Sequence, residues 1–256
     1  MTDHPVDILA FGAHPDDIEL GVAGTLIRAI ESGKRVALCD LTEGERGTRG
    51  TVETRREETR NANRVMGIDD RMRWNLGIPD GGITGSEEHL LRVVRTIRHF
   101  RPDIILYSWE RDRHPDHGDS HRLVQRAIFD AGLRMVATEH DGEAQAPHTT
   151  KRSYCYFHTW ERTPDFFVDI SAQVGRKLDT LAAYGSQLTV PGRSRSAVWA
   201  HEPRTFISGE DFIEAALGRM RHWGLMAGVR YAEGFVSPSG PVLVNDLLDT
   251  LPQSAE

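Results

Sequence analysis

The chain has 256 residues, with 39% hydrophobic and 27% charged residues and a formal charge of -7. That length suits one folded unit with a substantial core, and the absence of a strongly basic balance argues against a nucleic-acid partner. No apolar run approaches the roughly 18 residues a bilayer span needs, and Met-Thr-Asp-His-Pro is not a secretory leader, so a cytoplasmic protein with no membrane partner is expected.

Asp7 to Phe11 reads as a buried first strand, and Leu20, Ala23, Leu26, Ile27 and Ile30 mark one face of the helix that follows. Between them lies a tight corner carrying His14, Asp16 and Asp17. An imidazole and two carboxylates at a strand end are the ingredients of a metal site with a general base. A turn with a helix cap explains the same residues. Glu19 reads as a helix-start charge rather than a ligand.

Arg35 to Leu41 is a second strand, and Cys39 within it and Cys155 further on read as buried thiols, not a disulfide. The glycine-rich, charged loop from Thr42 to Thr51 follows a strand end, where function concentrates. A helix from Val52 to Met66 comes next, its charges mostly solvated pairs. Arg55 lies in its first turn beside the loop and suits a grip on a carboxylate or sugar hydroxyl; a surface salt bridge is the alternative. Arg71 to Leu76 is a short third strand. Asp80, in the loop after it, reads as a turn aspartate.

The helical stripe Leu90, Leu91, Val94, Ile97 and Phe100 leads through Arg101-Pro102 into a fourth strand, Asp103 to Trp109. Then comes a second motif, Arg111-Asp-Arg-His-Pro-Asp-His-Gly118, opening another helix. It repeats His-Pro-Asp and adds His117. Two strand ends of this kind can converge in a parallel sheet, giving His14, Asp17 and His117 as a two-histidine, one-carboxylate set with open positions for water and substrate. Zinc and non-haem iron both suit such donors. His121 reads as a surface or supporting residue.

Thr138 to Thr150 is a polar loop, and Arg152 to Trp160 and Phe166 to Ile170 are strands. His158 reads as an ordinary strand-end histidine. A helix spans Ala172 to Tyr184, and a Pro-Gly-Arg-Ser segment from Gln187 to Trp199 suits a loop over a site. A final helix runs from Glu210 to Met226, and Val242 to Leu248 is an apolar segment within a Pro- and Ser-rich tail. The alternation predicts an α/β fold, a mainly parallel sheet flanked by helices, in one domain over 1–256.

Ala-His-Pro-Asp-Asp-Ile-Glu at 13–19 together with His-Pro-Asp-His at 114–117 resembles the LmbE-like, PIG-L superfamily of zinc-dependent deacetylases, which act on N-acetylglucosamine-containing substrates. Blocks at 12–21, 39–42, 50–55, 112–118, 164–170 and 231–235 are most similar to the subgroup acting on N-acetylglucosaminyl malate in bacillithiol biosynthesis. The resemblance implies a Rossmann-like fold and a Zn2+ cofactor held by His14, Asp17 and His117, with another divalent metal such as Fe2+ as the alternative. It implies Asp16 as general base for the attacking water. It implies His114 as oxyanion stabiliser and proton donor, oriented by Asp116, and Arg55 and Arg113 as substrate contacts. It also implies a homo-oligomer, up to a hexamer. Tyr184 and Tyr231 are the candidates for a catalytic tyrosine found in some members. Relatives acting on chitobiose or inositol-linked sugars define the alternative substrates. A non-catalytic nucleotide-binding α/β module and a phosphoester hydrolase are further alternatives; no GxGxxG or P-loop pattern supports the former.

Overall fold

A computed structural model describes residues 5–193, 199 and 201–245. Its centre is a seven-stranded sheet in the order β3-β2-β1-β4-β7-β9-β8. These strands are β1 (Ile8–Gly12), β2 (Val36–Asp40), β3 (Arg73–Asn75), β4 (Ile104–Ser108), β7 (Arg152–Tyr156), β8 (Phe166–Asp169) and β9 (Ala232–Val236). The first five are mutually parallel, and β9 runs antiparallel to both β7 and β8. Helices α1 (Asp17–Glu31), α2 (Val52–Met66), α3 (Glu87–Phe100), α4 (Pro115–Ala131), α5 (Val174–Ala182) and α6 (Glu210–Ala227) surround it.

Alternate side chains of a strand point to opposite faces, and here both faces are covered. Leu9, Phe11, Cys39, Ile105 and Tyr107 pack under α3 and α4, against Val94, Ile97, Val124 and Ala127. Ala10, Leu38, Leu106 and Tyr156 pack on the other face against Val22, Leu26 and Ile27 of α1. The hydrogen-bonded sheet brings α1 so close that a Cβ on Gly21 would stand 2.1 Å from the Tyr156 ring. Cys39 and Cys155 are free and buried.

The strand order reverses at β1. The chain moves outward through β2 and β3, then returns to place β4 on β1's other side. Such a reversal opens a crevice at the carboxyl ends of the two central strands. Both His-Pro-Asp motifs follow those ends.

Several boundaries and roles differ from the expectations. Helix α1 begins at Asp17, three residues earlier than the apolar stripe alone indicates. The polar loop after α4 contains a small antiparallel pair, β5 (Glu139–His140) and β6 (Glu143–Ala144). Strand β9 was hidden by Glu233 and Gly234, which interrupt its apolar pattern. Glu233 is nevertheless buried, because its carboxylate accepts from Lys177 Nζ at 2.6 Å and from the Gly24 and Thr25 N–H groups at 3.0 and 2.7 Å. Glu19 is no solvated helix-start charge. It is fully buried, paired with Arg73 and accepting the Tyr184 hydroxyl at 2.8 Å. His121 is buried too, its Nδ1 2.9 Å from the Ser108 carbonyl. The apolar segment Val242 to Leu248 falls partly outside the described residues; within them Leu243 and Val244 are exposed. Among the described residues no helix is long and apolar enough to cross a membrane.

Candidate metal centre and active site

The corner after β1 is held in an unusual backbone state. Asp16 sits at φ 108°, a region that favours glycine, as the residue capping α1. After β4, His114 caps α4 and Pro115 occupies its first turn, where a missing N–H costs nothing. These two corners, with the end of β7, line a cleft of about 400 Å3.

Asp17 is the hub of the cleft. Its Oδ2 accepts the His14 backbone N–H at 2.8 Å and lies 3.2 Å from His14 Nδ1. Its Oδ1 lies 3.1 Å from His117 Nε2 and 3.7 Å from His158 Nδ1. His117 Nδ1 faces Asp112 Oδ1 at 2.8 Å, and Asp112 is itself fixed by the Thr159 and Trp160 N–H groups. A carboxylate behind an imidazole in this way sets its tautomer and orientation for metal binding. The His114 ring lies 4.7 Å from that of His14 and 5.3 Å from that of His117, centre to centre. One ring nitrogen each from His14, His114 and His117 fall within 4.8 Å of one another.

The charges are lopsided toward acid. Burial opposes a charge on His117, yet Asp17 and Asp112 outweigh it and raise its pKa to about 9. The same contest, won by Asp116, Asp17 and Asp80, raises His14 well above the usual imidazole range. Burial likewise resists ionisation of Asp17, but His117 and His158 hold it well below the carboxylate range. Burial lowers His158 to about 3, with the His117 charge adding to the effect. Asp16 is raised to about 7, by burial and by Asp17 against the pull of Arg55. Imidazoles with raised pKa, clustered on a buried carboxylate, are asking for a cation. His158 Nδ1 is a buried nitrogen without a hydrogen-bond partner. The donor set of imidazole and carboxylate therefore fits a divalent zinc or iron.

The structure brings His14, Asp17, His117 and His114 into this cleft, with Asp16 beside them. It corrects the expected pairing of Asp116 with His114. His114 accepts the backbone N–H of Asp116 at 3.3 Å, as a helix cap does, and this directs the Asp116 side chain elsewhere. Its carboxylate meets His14 Nε2 at 3.2 Å and the Gly81 N–H at 2.8 Å. Arg55 is buried and bonded to Asp16 at 3.1 Å and to the Pro15 and Gly44 carbonyls. Its guanidinium is thus committed to the Asp16 corner while still bordering the cleft. Arg113 is on the rim, its guanidinium 4.4 Å from the Phe206 ring centre. Tyr184 is bound to Glu19 inside the core, and the cleft's described lining contains Phe206 and Phe212 but no tyrosine.

Two residues read as ordinary belong to the site. Asp80 Oδ1 is 3.3 Å from His14 Nε2, brought there by the turn after β3. His158 stacks on His117 with ring centres 3.9 Å apart. Neither has a spacing signal. The parallel pairing of Ser108 with Tyr156 is what carries His158 to the cleft.

Fold and site together define a metal-dependent enzyme on a Rossmann-like sheet. The PIG-L model, described as GlcNAc-PI de-N-acetylase, matches residues 9–128, which include both His-Pro-Asp motifs. A diacetylchitobiose deacetylase of Thermococcus kodakarensis is 29% identical over 237 residues, covering 89% of this chain and 81% of that protein. A 1D-myo-inositol 2-acetamido-2-deoxy-alpha-D-glucopyranoside deacetylase of Catenulispora acidiphila is 26% identical, covering 84% and 90%. The crystal structure of the conserved protein TT1542 from Thermus thermophilus superposes with a TM-score of 0.81 at 37% identity, covering 94% of this chain and 98% of that one. The chain is similar to the PIG-L deacetylases through both motif-bearing strand ends and is an N-deacetylase of the metal-dependent kind.

Proposed function

We propose that the chain removes the N-acetyl group from an N-acetylglucosaminyl conjugate with an acidic acceptor, N-acetylglucosaminyl L-malate of bacillithiol biosynthesis being the best fit. His14, Asp17 and His117 hold zinc in this reading. When bound, that cation supplies Lewis-acid polarisation of the acetyl carbonyl and acidifies a water molecule. Asp16 takes the proton of the attacking water and delivers it to the departing nitrogen. Burial and the neighbouring Asp17 raise its carboxyl to about 7 against the pull of Arg55. Arg55 holds Asp16 in place at 3.1 Å. His114, across from His14, donates to the oxygen that becomes negative as the carbonyl carbon turns tetrahedral.

One observation carries the acidic acceptor. Arg46 and Arg113 stand exposed at the cleft, and neither guanidinium meets a carboxylate among the described residues. Unpaired arginines at a substrate mouth favour carboxylates, which they bind with paired N–H donors. A neutral sugar acceptor is the second reading. It is supported by the similarity to the chitobiose enzyme and by the Phe206–Phe212 pair, 5.6 Å apart at the mouth, which suits a sugar face.

Free-amine release from N-acetylglucosaminyl malate, diacetylchitobiose and the inositol-linked sugar separates the two. Metal-dependent turnover should favour the malate, and Arg46→Ala or Arg113→Ala should raise its KM about tenfold to a hundredfold, the loss of about 1.5–3 kcal/mol for a charged hydrogen bond. Equal or better turnover of chitobiose, untouched by either substitution, sinks the acidic acceptor and keeps the deacetylase.

A further inference from the structure

Gln187 opens the segment expected to lie over the site. Tyr184, Leu188 and Val190 around it are buried with Ala62 of α2 and Ile213 of α6. Gln187 itself is 6% exposed and lines the cleft, as do Arg46, Arg55, Phe206 and Phe212. Its amide is held in one orientation. Glu58 of α2 accepts the Ser186 N–H at 2.6 Å and the Ser186 hydroxyl at 2.7 Å. With its proton given to Glu58, the Ser186 oxygen is an acceptor, and Gln187 Nε2 donates to it at 2.9 Å. The second Nε2 proton goes to the Arg49 carbonyl at 2.7 Å. A carbonyl only accepts, so the amide nitrogen and not the oxygen must face Arg49.

Both amide protons are then used, and Oε1 is what Gln187 has left. Among the described residues Oε1 has no hydrogen-bond partner, and it is not one of the enclosed polar atoms left without one. It therefore opens on the cleft that Gln187 lines. A fixed, neutral acceptor gives nothing to a carboxylate and selects a donor. The reaction places the acetamide nitrogen at Asp16, so the donor that remains is a hydroxyl of the sugar. We propose that Gln187, through Oε1, accepts a hydrogen bond from one sugar hydroxyl of the substrate and makes the cleft select for that hydroxyl. This rests on the N-acetylglucosaminyl substrate proposed above. A substrate lacking the hydroxyl displaces water from Oε1 and returns no partner, which is how a cleft built in this way discriminates.

Steady-state rates on deoxy and deoxyfluoro analogues test the contact, one at each sugar hydroxyl of the conjugate that the native protein turns over best. In the native protein, removal of the contacted hydroxyl should lower kcat/KM by about threefold to tenfold, the range for a neutral hydrogen bond. Fluorine at that position accepts but does not donate, so it should not restore the rate. Gln187→Met should lower kcat/KM for the parent conjugate by a similar factor, and removal of the same hydroxyl should then cost nothing more. Removal of the other hydroxyls should cost Gln187→Met what it costs the native protein. Each comparison is a ratio within one protein, so a smaller folded fraction of Gln187→Met cancels. Losses that are the same in both proteins at every hydroxyl overturn the contact and keep the sugar substrate. Full recovery with fluorine overturns the contact too, because the hydroxyl is then an acceptor. N-acetyl amines without a sugar, turned over as fast as the conjugates, overturn the substrate and the contact together.

Discussion

Helix α1 meets buried charge at its middle and at its N-terminal corner, and these two encounters end differently. At its middle, Glu233 takes the Gly24 and Thr25 N–H groups, and Lys177 bridges that carboxylate to the Leu20 carbonyl at 2.8 Å. Each Glu233 oxygen has a donor and the lysine has its counter-charge. At the N-terminus, Asp17 gathers imidazoles that carry raised pKa values, His158 Nδ1 has no hydrogen-bond partner, and Asp16 is held at φ 108°. Both networks are buried, so burial of charge does not by itself distinguish them. Closure does. A network whose donors and acceptors balance holds a fold together; one left short of a cation in a cleft is built to receive one.

The largest expected effect breaks the comparison at its chemical end. Asp16→Asn should keep stoichiometric metal but lower kcat by about 10²–10⁴-fold, the contribution of a positioned general base. Metal analysis beside steady-state rates checks it, and near-native kcat would remove Asp16 from its role. At the structural end, Lys177→Met strands the Glu233 carboxylate in the core. The expected cost is about 3–5 kcal/mol of unfolding free energy in a urea titration. Metal stoichiometry of the folded fraction should not change. A loss of metal there would mean that the two networks are coupled through α1, and the division drawn above would fail. A smaller effect comes from the spacing between them. Gly21→Ala pushes a methyl into the Tyr156 ring, whose hydroxyl is tied to Phe11, for about 1–3 kcal/mol of overpacking strain. Thermal denaturation should show a lowered Tm; an unchanged one would mean that α1 can move away from the sheet freely.

The sequence carried the open network better than the closed one, for a physical reason. His14, Asp17 and His117 sit directly after apolar strand runs, so a parallel sheet alone is enough to bring them together. Helix α2 was legible to the residue because Thr51 caps it and Gly67, left-handed at φ 79°, ends it. His158 and Asp80 depend on which strands become neighbours, and neither has a partner at a telling spacing. Glu233 was missed with the strand that holds it, since only the tertiary position of Lys177 makes a buried glutamate tolerable there. The turning of Asp116 toward His14 is a matter of side-chain direction at a helix cap, which spacing does not encode.

The open network should also announce itself in how metal binding responds to pH. A proton and a divalent cation compete for the same imidazole lone pair. An ordinary histidine near 6.5 is already neutral at pH 7.5, so binding to it gains nothing from further alkalinity. Here Asp17 and Asp112 raise His117 to about 9, and His14 is raised as well, so both imidazoles are still protonated in the metal-free protein at neutral pH. Asp17, held well below the carboxylate range, is ionised throughout and adds no slope. Apparent zinc affinity should therefore keep rising between about pH 7 and about pH 8.5, by about tenfold per unit for each proton displaced, or about 1.4 kcal/mol. Competition against a chelator of known proton affinity measures the slope. A flat response over that interval would mean that the imidazoles titrate like free histidine, and that the carboxylates around them do not concentrate charge as the geometry requires. Replacing Asp112 by Asn offers the sharper version, because Asp112 touches His117 and not the space between the ligands. It should move the His117 part of the slope to lower pH while leaving that of His14 in place.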